Sequence, residues 1–151
     1  MTQVKRRELM PGVWLRAIHT DKFKRSYLGL TMMAPLEWET AAANALIPAV
    51  LRRGTAAHPD LEALSAALDE LYGGAIEPVV RKKGETQCIG FVASFLDDAY
   101  ALEGESILEP AAALLGELLL SPRTVGEGFL PDYVRQEQSN LIDRIRAQVN
   151  D

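Results

Sequence analysis

Between Glu39 and Gly74 the chain holds two helix-like segments with no strand between them, and this adjacency restricts its possible folds more than any other stretch. In the first, Ala41 to Leu51 is so poor in charge that burial nearly all round is expected. Pro48 removes a backbone donor, so the last turns should kink or shorten before Gly54 closes the segment. The second begins at His58-Pro59-Asp60, with Pro59 suited to the first helical position. Leu61, Leu64, Leu68 and Leu71 form its apolar stripe, Glu62, Asp69 and Glu70 face water, and Gly73-Gly74 ends it.

Strand-like runs flank this core. Gly12 to Thr20 places Val13, Leu15 and Ala17 on one face and Trp14, Arg16 and Ile18 on the other. Asp21 to Arg25 reads as a turn leading to an antiparallel partner, Ser26 to Met33, in which Gly29 marks a bulge or a close backbone approach. After the two helices a second pair follows, Ala75 to Val80 and Thr86 to Phe95, and Pro78 makes the first of these an edge strand. Gln87, Ile89, Phe91, Ala93 and Phe95 alternate with Cys88, Gly90, Val92 and Ser94, so the last strand is expected to be buried on both faces. A third helix is expected from Asp98 to Leu120 with an irregularity at Gly104 or Pro110, and a fourth from Pro131 to Val149 with Val134, Leu141, Ile145 and Val149 inward.

The resulting order, ββααββαα, has its strands in hairpin pairs and not alternating with helices, which predicts an α+β fold with a largely antiparallel sheet covered by helices. Residues 1–151 read as one domain, with 1–11 a polar N-terminal arm. The last helix runs into Asn150-Asp151 with no glycine stop, the pattern expected of a chain that continues further.

The net charge of −5 argues against general affinity for nucleic acid or anionic membrane. The clusters Lys22, Lys24, Arg25 and Arg81, Lys82, Lys83 read as solvated hairpin tips. No charged start followed by an apolar stretch appears, and no apolar run is long enough to span a bilayer, so a cytoplasmic protein is expected. The single cysteine, Cys88, lies in an apolar strand pattern and reads as an inert buried thiol.

Conventional catalytic constellations are hard to assemble from these residues. His19 and His58 are the two histidines, without HxxxH, HxH or CxxC spacing to gather ligands, and both read as exposed or capping imidazoles. Gly73-Gly74 follows a helix instead of opening one, so it is no phosphate loop. The acidic pairs Asp69-Glu70 and Asp97-Asp98 fall at helix ends, where Asp98 reads as a cap.

Several strings together resemble the N-terminal part of the pitrilysin/insulinase-type zinc peptidases, the inverted HxxEH class, and its LuxS/processing-peptidase-like fold. The matching features are Leu51-Arg-Arg-Gly-Thr55 after the first helix, Glu70-Leu-Tyr-Gly-Gly74 after the second, an edge strand with its partner, and a Leu-rich helix followed by a Glu-bearing one. Counting back from Gly54-Thr55, the resemblance places the family's histidines at Ala45 and Ala49, its glutamate base at Pro48, and its distal glutamate ligand at Arg144. Zinc needs at least three lone-pair donors and an open position for water, and these four residues supply none. Glu137 is similar to the acidic residue preceding that ligand.

The strings from Glu70 and from Asn140 to Asp151 resemble the silent subgroup associated with elongation factor P aminopentanol modification. The resemblance therefore implies a non-catalytic subunit, without metal or cofactor, that pairs with an active HxxEH peptidase or with itself. It implies an extended peptide on the edge strand at Ala75, Ile76, Glu77, Pro78 and Val79, where Pro78 would interrupt the ladder. Two other readings stay open at this point: a metal-dependent peptidase with a different ligand set, and a free-standing scaffold module.

Overall fold

The computed structural model describes residues Gln3–Val149. Its elements are β1 (Gln3–Met10), β2 (Val13–His19), β3 (Arg25–Pro35), α1 (Trp38–Leu51), α2 (Leu61–Glu70), β4 (Ala75–Lys83), β5 (Thr86–Leu96), α3 (Leu108–Leu120), β6 (Thr124–Val125), β7 (Gly128–Phe129) and α4 (Pro131–Val149). The fold is α+β and every strand pair is antiparallel. Asn150 and Asp151, into which the last helix was expected to run, lie outside the described residues.

The central sheet has the order β3-β5-β4, and β5 pairs with both neighbours along its length. Its inner face carries Ile89, Phe91, Ala93 and Phe95 from β5 and Ile76 from β4. Of these, Ile76, Phe91, Ala93 and Phe95 pack against Leu51, Leu64, Ile107, Ala111, Leu114, Leu115 and Leu118 to form one core. Alternation along β5 puts Cys88, Val92 and Ser94 on the opposite face, which is open, so only one side of this strand is buried. The charge-poor α1 likewise buries only Pro48, Val50 and Leu51, and its first turns, from Trp38 to Ala43, are largely exposed. A low charge content marks an apolar helix without saying how many faces have partners.

Pairing differs from expectation at the N-terminus. Gly12 to Thr20 was expected to pair with Ser26 to Met33, but β2 pairs with β1, running from Gln3↔His19 to Met10↔Val13, and β3 pairs with β5. The polar start, read as an arm, is itself a strand. The segment with Lys22 and Lys24 links two sheets and is no hairpin tip, whereas Arg81, Lys82 and Lys83 do lie at the exposed end of the β4–β5 hairpin. Gly29 makes no close approach; that role falls to Gly90, where an added Cβ would lie 2.0 Å from the Leu30 carbonyl oxygen.

Helix ends also shift. Asp60, not Pro59, opens α2, accepting from the Ala63 backbone N–H at 2.9 Å. The segment expected as one helix from Asp98 is two short 3₁₀ turns, Asp98–Tyr100 and Leu102–Gly104, before α3 begins. Asp98 is a cap at a distance, accepting from the backbone N–H groups of Ile107 and Leu108, each at 2.9 Å. Those two bonds hold its carboxyl below the usual range. On α4, Val134 and Leu141 are half-buried but Ile145 is exposed, so its inward stripe covers only part of the helix.

Candidate functional site

The face where the resemblance would place a metal lies between α1 and α4, which pack against each other. Pro48 is buried in α1, with Ala45 and Ala49 half-buried beside it; Arg144 on α4 is exposed. Arg53 lies in the turn just after α1, four residues beyond Ala49. Its guanidinium reaches across to α4 and meets Glu137 Oε1 at 3.4 Å and Gln136 Oε1 at 2.6 Å, and lies 5.1 Å from the centroid of the Tyr133 ring. Glu137 is 9% exposed, so its charge is largely withdrawn from water and Arg53 is its counter-ion.

This donor set does not fit zinc. The residues that the resemblance assigns offer alanine methyl groups, a proline ring and a guanidinium, and the buried carboxylate of α4, Glu137, is already paired with a cation. Among the described residues, no three of His, Cys, Asp and Glu gather into a metal-holding group. A protein cation thus ties the turn after α1 to α4.

A second polar cluster was not legible in the sequence. Thr55, fully buried, donates its hydroxyl to Glu117 on α3, while His58 Nδ1 lies 3.0 Å from the same carboxylate and the His58 backbone N–H donates to Thr55 Oγ1 at 2.8 Å. Burial pushes the Glu117 carboxyl up, but the bonds from Thr55 and His58 outweigh it and hold it below the ordinary carboxylate range. The Thr55 N–H also donates to the His58 carbonyl at 2.7 Å, and a bridge joins Thr55 to Pro122. His58 is therefore neither a simple cap nor free in solvent. The cluster clamps the Gly54-to-His58 loop onto the end of α3. A Ser/Thr-His-acid pattern read along the chain could not find it, because Glu117 lies far away in sequence.

The edge strand β4 is placed as expected, outermost in its sheet. Ile76 is buried, Ala75 and Val79 are half-buried, and Glu77 and Pro78 are exposed. The Ile76 carbonyl oxygen accepts from Arg52 Nε at 2.6 Å. Residues two apart in a strand offer backbone groups to the same edge, so Pro78, without an N–H, falls on the edge where Arg52 occupies Ile76.

These features accompany a clear similarity between chains. Over 140 residues, 93% of this chain, it is 38% identical to the Probable inactive metalloprotease YmfF of Bacillus subtilis (strain 168). The chain is thus similar, over most of its length, to a probable inactive metalloprotease. It spans about a third of that relative, 33% of its length. The same fold occurs in the crystal structure of a conserved protein from Enterococcus faecalis V583, with a TM-score of 0.91 and 26% identity over 98% of this chain and 35% of that one. No protein-family model matches the chain. No helix among the described residues is long and apolar enough to cross a membrane.

Proposed function

We propose that this chain is the silent member of an insulinase/pitrilysin-type pair, a non-catalytic subunit that binds an active HxxEH peptidase and shapes the chamber around its substrate. The observation that carries this reading is the ion pair of Arg53 and Glu137, which ties the turn after α1 to α4, while the resemblance aligns Ala45, Pro48, Ala49 and Arg144 with the family's ligands and base. Similarity to an inactive metalloprotease supports the loss of catalysis, and the link to elongation factor P modification belongs to the same proposal.

Extended peptides would meet β4 at Ala75, Ile76, Glu77, Pro78 and Val79. Arg52 on the Ile76 carbonyl and the missing N–H of Pro78 leave this edge few backbone partners, so the strand serves as a wall and not as the main binding ladder. Affinity capture of the tagged chain from its source cell should recover a protein bearing HxxEH. Repeated capture without any such partner would refute the pairing.

A further inference from the structure

Two arginines stand side by side after α1 and differ in what they bond. Arg53 is taken up by α4, where it meets Glu137 and Gln136. Arg52 reaches β4 instead, and its Nε donates to the Ile76 carbonyl oxygen. Among the described residues its Nη1 and Nη2 have no hydrogen-bond or ion-pair partner. One bond therefore fixes the guanidinium and leaves the paired N–H groups at its end available. That end can hold a carboxylate through two parallel hydrogen bonds.

Arg52 also lines a cavity of about 20 Å³ formed between α2, α3 and β4. Leu64, Ile76 and Leu118 are its buried walls. Leu61 and Ser65, both exposed, make with the half-buried Arg52 a rim that solvent reaches. No acidic side chain belongs to the lining, so Arg52 is the one charged group at the cavity. A single water needs roughly 10–15 Å³ and two or more polar partners. This cavity therefore has room for a methyl or ethyl group and little more, and its aliphatic walls offer water no bonds.

A fixed cation at the rim of a small apolar cavity selects a ligand with a negative charge beside a short aliphatic end. We propose that this cavity binds a small aliphatic carboxylate, its oxygens on Nη1 and Nη2 of Arg52 and its alkyl end between Leu64, Ile76 and Leu118. Two sources offer that chemistry: a free short-chain acid, and the C-terminal residue of a peptide with a small side chain. An amide of the same shape lacks the charge and should not bind. The site does not depend on pairing with an HxxEH peptidase, so either reading can fail alone.

Titration of the isotope-labelled chain with sodium propionate at constant ionic strength, followed through amide chemical shifts, is the test. Saturable shifts at Ser65, Leu68 and Ile76 are expected, with a Kd on the order of 1 mM for so small a ligand, and none with propionamide. N-acetylalanine run in parallel separates the sources: tighter binding than propionate assigns the site to a peptide C-terminus, weaker binding to a free acid. Arg52→Gln should weaken propionate binding at least about tenfold. That change also disturbs the Ile76 contact, so Leu68→Phe, which fills the cavity and keeps Arg52, should remove the same shifts without altering far-UV circular dichroism. Equal shifts from propionate and propionamide, saturation that survives in Leu68→Phe, or no saturable response by about 100 mM would overturn the site.

Discussion

Replacing Glu117 is the most informative single change to this fold, because its carboxylate joins elements remote in sequence. The side chain is 22% exposed and takes hydrogen bonds from the buried Thr55 hydroxyl and from His58 Nδ1. Each hydrogen bond to a charged group contributes roughly 1.5–3 kcal/mol, and Glu117→Ala also deprives the buried Thr55 hydroxyl of its acceptor. Because His58 is partly exposed, the sum is discounted to about 3 kcal/mol. For a domain of this size such a loss lowers Tm by roughly 6–12 °C.

The pH dependence has a definite sign. A carboxyl held below its ordinary range contributes stability above its unfolded pKa and loses it as pH falls through its folded pKa. The wild-type chain should therefore lose stability on acidification in the carboxylate range, and Glu117→Gln should flatten that part of the curve. Urea denaturation followed by circular dichroism, at neutral pH and at several acidic values, measures both effects. A Glu117→Ala variant within about 0.5 kcal/mol of wild type at neutral pH, the range of an ordinary surface substitution, would refute the clamp.

Four further outcomes are expected. Arg53→Met should destabilise by about 3 kcal/mol, since it strands the nearly buried Glu137 carboxylate, and Arg53→Met with Glu137→Met should recover much of that loss in the same denaturation assay. Gly90→Ala should express insolubly or melt far below wild type, because its Cβ would overlap the Leu30 carbonyl oxygen on the neighbouring strand. Asp98→Ala removes an acceptor from two backbone donors at the start of α3 and should cost about 1 kcal/mol, read as a Tm shift of a few degrees. Ala45→His with Pro48→Glu and Ala49→His should take up no zinc by metal analysis, and adding Arg144→Glu should allow uptake; zinc bound by the triple variant would refute the assignment of Arg144.

Much of this architecture was legible from local signals. The proline in β4, the alternation through β5 and the Gly-Thr and Gly-Gly stops each follow from the conformational limits of one or a few residues, and those limits act wherever the segment lies. Cap positions moved by a residue or more, because Pro59 and Asp60 are both good openers and only the bond from Ala63 selects between them.

Alternation along a chain states which residues share a face, but not whether anything covers it. The same physics that made β2 and β5 recognisable as strands left their partners undetermined, so β2 joined β1 and the outer face of β5 stayed open. Tertiary structure alone brought Arg53 to Glu137 and Thr55 to Glu117, because those contacts depend on helix packing across the core and have no local spacing rule. By itself the sequence determined which residue types stand along each segment, alanines and a proline through α1 and few histidines anywhere, since a missing lone pair needs no fold to be counted. Only the folded chain decided that the Arg53 guanidinium is the counter-ion of Glu137 on α4, because a counter-ion is defined by distance and burial.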